Sequence, residues 1–189
     1  MLVSLIKKDR IYSVSLPMQI SGTYWVSDLD KYGNERKLVS IEERGDTWVL
    51  KSNNDNRIIE EDRIINEITL QNFSFHYLQI ENEEIALLYT CPVYDKNNMQ
   101  LEVRTNQEIL IGKSNLCKIV YNLPTVSNEH AKIIYNNNSN VWQIMDLNSK
   151  FGTYVNNERI TAPRVLRHGD IIFISGIKAT IRNGIIKHT

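Results

Sequence analysis

Val126-Ser127-Asn128-Glu129-His130 and, further on, Asp146-Leu147-Asn148-Ser149-Lys150-Phe151-Gly152-Thr153 are the segments on which the reading of this fold turns. Ser, Asn, Asp and Gly crowd into both. Their short polar side chains bond the local backbone, and Gly takes positive φ without steric cost, so both segments read as turns. Between them lie Ala131 to Tyr135 and Val141 to Asp146, apolar-rich runs of strand length joined by the polar loop Asn136 to Asn140. Ile111-Gly112-Lys113 precedes the set. Tyr154-Val155-Asn156-Asn157 and Leu166-Arg167-His168-Gly169-Asp170-Ile171-Ile172 come after it. Asn156-Asn157 reads as a hairpin turn, because Asn tolerates positive φ, and Gly169-Asp170 as another turn.

The same pattern extends in both directions. Further strands are predicted at Leu101 to Val103, Glu108 to Ile111, Ile119 to Tyr121, Thr153 to Val155, Asp170 to Ile174 and Lys178 to Arg182. Toward the N-terminus they fall at Leu2 to Ile6, Ile11 to Leu16, Tyr24 to Val26, Leu38 to Ile41 and Trp48 to Lys51. Ile68 to Leu70, Phe75 to Ile80 and Glu84 to Tyr89 continue the series. Only Glu60 to Ile65 reads as a helical turn. So many short strands at close spacing predict an all-β protein built as a sandwich or barrel. Near Cys91-Pro92 the pattern resets, and Asp95-Lys96-Asn97-Asn98 reads as a turn between strands or a short linker. The boundary therefore falls near residues 90–98, giving domains at 1–92 and 93–189. The halves read as a divergent repeat. Val39-Ser40-Ile41, a turn at Gly45-Asp46 and a Trp48 strand match Ala131 to Ile134, a polar turn and a Trp142 strand. Trp25, Trp48 and Trp142 are expected in the core.

Composition narrows the function. Of 189 residues 42% are hydrophobic, as in an ordinary globular protein. No apolar run approaches the roughly 20 residues that span a bilayer, so no direct membrane contact is expected. The apolar start is too short for a signal-peptide core, and charge arrives at Lys7 and Lys8. Cys91 and Cys117 stand alone, which predicts neither a disulfide framework nor a metal site, and no cofactor motif appears. The expected location is cytoplasmic. The formal net charge is zero, but residues 1–92 carry 10 Lys+Arg against 15 Asp+Glu, and residues 93–189 carry 12 against 7. The acidic half argues against nucleic acid as a partner of the whole chain, while the basic half suits an anionic one.

These landmarks, in their order and spacing, resemble the forkhead-associated (FHA) family. They match its GR, SxxH, SxNGT, VNG and LxxGD motifs with substitutions. The resemblance implies an eleven-stranded β-sandwich whose loops at one end recognise phosphothreonine. It implies that Lys113, Ser127, Asn128, Lys150 and Phe151 meet the phosphopeptide, while Gly112, His130, Gly152, Thr153 and Asn156 form the framework. Lys113 stands where the family usually has Arg, so it keeps the charge and loses the bidentate fork. Ser127 matches the phosphate-binding hydroxyl, and Asn128 comes next at a position suited to the peptide backbone. Phe151 departs from the family's Asn and offers neither amide donor nor acceptor. By the same resemblance His130 is a buried residue that orients the loop. A catalytic pairing with Ser127 is not expected, since no acid partner or oxyanion motif accompanies them.

The first half has no SxxH and no NGT, which makes it a degenerate FHA-like sandwich without a phosphate site. The tandem arrangement resembles the N-terminal region of EssC-type proteins, FtsK/SpoIIIE-like membrane ATPases of bacterial type VII secretion. That resemblance implies a fragment at the cytoplasmic face, with membrane helices and ATPase domains downstream. No GxxxxGK[ST] phosphate loop occurs in this chain. Three functions compete: an interaction module of a secretion ATPase, a free-standing phosphothreonine reader in kinase signalling, and an enzyme. The expected partner is a protein or phosphothreonine peptide, including another component of the secretion machine. The first two differ in whether the gene continues past Thr189 into membrane spans, and no catalytic set supports the third.

Overall fold

The computed structural model describes residues 1–17, 22–81, 84–92, 100–102, 108–182 and 185–188. The chain divides into two compact units, Met1–Val93 and Tyr94–Thr189. The Asp95-Lys96-Asn97-Asn98 turn and Val103 lie outside the described residues. All regular structure among those described is strand, and no helix is long and apolar enough to cross a membrane.

Unit 1 contains β1 (Leu2–Lys7), β2 (Arg10–Ser15), β3 (Thr23–Leu29), β4 (Glu35–Arg44) and β5 (Thr47–Lys51). β6 (Asn56–Glu60), β7 (Arg63–Ile65), β8 (Glu67–Leu70), β9 (Phe75–Ile80) and β10 (Glu84–Cys91) complete it. Within the unit one sheet runs β7-β6-β9-β10-β1-β2 and the other β3-β4-β5-β8. Alternation assigns the faces, since successive strand residues point to opposite sides. On β9, His76, Leu78 and Ile80 are buried while Phe75 and Tyr77 are exposed. The buried sides meet in a core that includes Val3, Leu5, Leu38, Ile41, Leu50, Ile58, Leu78 and Leu88. Such burial is worth roughly 1.5–3 kcal/mol for each large apolar side chain.

Two expectations fail in this unit. Glu60 to Ile65 is not a helical turn but the tip of the β6–β7 hairpin, with Glu60 opposite Arg63. Glu61 and Asp62 hold φ of 47° and 61°, the two-residue turn whose twist matches the strands. Neither residue is Gly or Asn, so the usual turn signal is missing. Trp25 is not core. It sits 37% exposed on the edge strand β3, with the Lys37 ammonium 5.1 Å from its ring centroid.

Unit 2 contains β11 (Gln100–Glu102), β12 (Ile109–Gly112), β13 (Ile119–Val120), β14 (Ala131–Asn136), β15 (Val141–Asp146) and β16 (Thr153–Val155). β17 (Glu158–Arg159), β18 (Arg164–Leu166), β19 (Ile171–Ile174), β20 (Ile177–Arg182) and β21 (Ile185–His188) bring the total to eleven strands among the described residues. One sheet runs β11-β21-β20-β19-β16-β17 and the other β13-β12-β14-β15-β18. Ile109, Ile111, Ile133, Ile144, Phe173 and Ile174 are all buried in this unit's core. The expected Asn156-Asn157 turn is present, with φ of 51° and 68°.

The repeat read from the Trp hairpins extends to the topology. β3-β4-β5-β8 corresponds to β12-β14-β15-β18, and β7-β6-β9-β10 to β17-β16-β19-β20. Both units are thus β-sandwiches of one strand order. They differ where it matters for a site. Between β3 and β4 lie only residues 30–34, whereas between β12 and β14 lie residues 113–130, including β13.

Candidate functional site

The loop that leaves β12 starts at Gly112, where only glycine fits. A Cβ there would stand 2.1 Å from the Asn128 carbonyl oxygen and 3.0 Å from the Cys117 sulfur. That close approach lets the backbones bond directly. The Lys113 amide donates to the Ser127 carbonyl at 2.9 Å and the Ser114 amide to the Asn128 carbonyl at 3.0 Å. The Cys117 thiol donates to the same Asn128 oxygen at 3.2 Å. The Lys113 loop is therefore fastened along the Ser127 loop, while Lys113 and Asn128 themselves stay exposed.

His130 joins these loops to the third. It is fully buried. The Ser127 amide donates to its Nδ1 at 3.2 Å, which leaves the proton on Nε2, 3.2 Å from the Gly152 carbonyl it donates to. Burial pushes the imidazole pKa below its ordinary value, outweighing the opposite pull of the Gly152 carbonyl and Asp146. A neutral ring with this tautomer suits both bonds. The Lys150 amide then donates to the Ser127 hydroxyl oxygen at 3.1 Å. With that lone pair occupied, the hydroxyl proton remains to be donated elsewhere.

The third loop is braced from Asp146. Its Oδ1 accepts from the Ser149 hydroxyl at 2.6 Å and the Thr153 hydroxyl at 2.7 Å, and its Oδ2 accepts from the Ser149 amide at 3.0 Å. The Ser149 hydroxyl oxygen accepts in turn from the Gly152 amide at 3.0 Å. Asn148 and Gly152 take positive φ, 55° and 84°. This bracing presents Lys150 exposed and Phe151 half-buried, the Lys150 ammonium 5.4 Å from the Phe151 ring centroid. Asp146 and Ser149 carry no role in the sequence reading. The signal for them is an Asp three residues before a Ser, the spacing at which a carboxylate caps its own turn.

Lys113, Ser127, Asn128, Lys150 and Phe151 thus lie on three loops bonded to one another. Gly112, His130, Gly152 and Thr153 hold those loops. Asn156 does not belong with them. It lies beyond the far end of β16, where its Nδ2 donates to Asp170 at 2.9 Å and its Oδ1 accepts from the Ile171 amide at 2.9 Å. Chemically the loops offer two ammonium groups, a hydroxyl and an exposed amide, a set suited to an anion with several oxygens. Glu129, also exposed, is the one carboxylate in the Val126 to His130 segment. Among the described residues no cluster of three His, Cys, Asp or Glu could hold a metal.

The corresponding end of unit 1 has different electrostatics. Asp28 is buried, and Arg36 grips it with two bonds, Nε to Oδ1 at 2.9 Å and Nη2 to Oδ2 at 2.8 Å. Lys7 also bonds Asp28, and Arg36 reaches Glu81. Burial alone would raise the Asp28 pKa, but hydrogen bonds from Arg36 and Lys7 hold it below the ordinary carboxylate value. Arg36 and Lys7 are thus already neutralised within the fold.

Residues 109–175 match the FHA domain family, so unit 2 carries an FHA domain. Over the whole chain the fold is similar to the N-terminal FHA domain from EssC, a component of the bacterial type VII secretion apparatus. The identity is 12%, covering 98% of this chain and 90% of that one with a TM-score of 0.59. The FHA domain of the CT664 protein from Chlamydia trachomatis is 21% identical over 50% of this chain and 90% of its own, with a TM-score of 0.43. At such identities the likeness is one of fold. No curated protein matches the sequence.

Proposed function

We propose that this chain is a protein-interaction module whose FHA domain takes a phosphothreonine of its partner at the loops around Ser127. The observation that carries the reading is the convergence on Ser127. Its carbonyl accepts from the Lys113 amide and its hydroxyl from the Lys150 amide, so two cation-bearing loops meet at one serine. A dianionic phosphate with several acceptor oxygens matches that donor set. Loops prefastened by backbone bonds lose little entropy on binding. No catalytic step is assigned to the chain. The Ser–His contact at this site runs through the Ser127 amide and not through its hydroxyl, so it does not activate a nucleophile.

The likeness of the whole fold to the EssC N-terminal domain supports a finer proposal. The chain is the cytoplasmic-face region of a membrane-anchored, EssC-like secretion ATPase and docks another component of that machine. Titrating the protein with a phosphothreonine peptide and its unphosphorylated twin tests the first part. Equal affinity for the two would refute it. Reading the gene beyond Thr189 for membrane spans and an ATPase phosphate loop tests the second.

A further inference from the structure

Four exposed large hydrophobic side chains of unit 1 stand on one sheet face. Ile64 is 55% exposed, Tyr77 and Ile85 53% each, and Phe75 40%. Strand register places them. Ile64 on β7 pairs with Ile59 on β6, Ile59 with Tyr77 on β9, and Tyr77 with Leu87 on β10. One apolar row thus crosses four strands. Phe75 lies two residues before Tyr77, and Ile85 two before Leu87, on the same side of the sheet. The opposite side of these strands carries Ile58, Leu78, Ala86 and Leu88, which belong to the core. The row therefore lies on the outer face. The sandwich itself does not call for it. On β20, the strand of unit 2 that corresponds to β10, Ile177, Ala179 and Ile181 are buried, and the outward positions are Lys178, Thr180 and Arg182. That is the ordinary alternation of a sheet with one solvated face.

We propose that this outer face of unit 1 is a self-association surface, and that its occupant is the same face of a second copy of the chain. Charge selects that occupant. Residues 1–92 carry 15 Asp+Glu against 10 Lys+Arg. Yet among the described residues at outward positions of β6, β7, β9 and β10, Arg57 is the one charged side chain. A basic partner would find no carboxylate on this face. A second acidic unit meets no like charge at its centre, and the lone cation is opposite in sign to the unit it would meet. The shape fits too. Four strands in register form a regular surface, and two such faces stack about 10 Å apart as the sheets of a sandwich do. A two-fold axis makes the contact isologous, so it closes at a dimer. Four large side chains near half exposure make a patch of roughly 300–600 Å², the size at which patches are often functional. Two of them together approach about 1,000 Å², the low end for a specific interface, so the dimer is weak and concentration-dependent. Nothing in it uses the loops around Ser127, and it stands independently of the phosphothreonine reading.

Sedimentation equilibrium of the full 189-residue chain, from low micromolar to millimolar concentration, tests this. Wild type should show a reversible monomer–dimer equilibrium with a dissociation constant on the order of 10–100 µM. Tyr77→Lys and Ile85→Lys put a charge at half-exposed positions of the face. Each should melt as wild type and raise the constant by about tenfold or more. Ile64→Lys, on the edge strand β7, carries the same test if either of them melts well below wild type. A wild type that stays monomeric throughout, a dimer that survives all three substitutions, or association that continues past the dimer overturns the inference. Loss of fold in all three variants means that the face is covered within the chain, and overturns it as well.

Discussion

The Lys150 amide donates to the Ser127 hydroxyl at 3.1 Å across 23 residues of sequence. One small side chain thereby sets the position of a cation-bearing loop and keeps its own proton for a ligand. Ser127→Ala removes both the donor and the link. A phosphothreonine peptide should bind it about tenfold or more weakly, since a charge-assisted hydrogen bond is worth roughly 1.5–3 kcal/mol. Calorimetry against wild type reads this directly.

Lys113 is exposed, and its amide, not its ammonium, fastens the loop. Lys113→Ala should therefore fold as wild type and lose about tenfold in phosphopeptide affinity. Lys113→Arg should bind more tightly than wild type, because the guanidinium restores a bidentate grip. A binding series at fixed ionic strength checks the order Arg, Lys, Ala.

Phe151→Asn returns an amide able to hold peptide backbone. It should bind a phosphothreonine peptide several-fold more tightly than wild type, as calorimetry reads. An affinity unchanged from wild type would show that the peptide backbone does not reach position 151.

Unit 1 should contribute no phosphate binding, because Arg36 and Lys7 are committed to buried Asp28. The Lys113→Ala, Ser127→Ala, Lys150→Ala triple variant should then retain no phosphate-dependent affinity. Residual selective binding would reveal a site elsewhere in the chain. Asp28→Ala should destabilise unit 1 by about 3–5 kcal/mol, leaving two cations partly buried without their anion. Chemical denaturation measures that loss.

His130 is buried neutral, with its pKa pushed below the ordinary 6.5. The unfolded chain therefore binds a proton that the folded chain resists as pH falls below about 6.5. This contribution to stability is complete above that pH and is lost on acidification toward the lower folded value. The wild-type melting temperature should fall more steeply between pH 7 and pH 5 than that of His130→Gln, whose side chain does not titrate.

Much of this molecule is written locally. Strand alternation on β9, the Asn156-Asn157 turn and the polar segments around Ser127 and Lys150 each depend on neighbouring residues, and each is legible from them. The β6–β7 hairpin is not, because Glu61 and Asp62 adopt positive φ only under the pairing of Ile59 with Ile64 and Glu60 with Arg63. Trp25 escapes a sequence reading because residue type gives hydrophobicity but not whether a strand lies at the edge of its sheet.

Residue chemistry alone was enough for the all-β class, the strand-and-turn order and the kinds of group available to meet an anion. Those properties come from backbone preference and side-chain type, which act over a few residues. Which of these groups meet is a matter of folding at long range. Backbone bonds and burial join Lys113 to Ser127, Ser127 to Lys150 and His130 to Gly152, yet leave Asn156 at the far end of β16. Those same contacts hold Leu116 out in solvent, because its loop is tied down through backbone atoms, the Ser114 hydroxyl and the Cys117 thiol, none of which needs the Leu side chain.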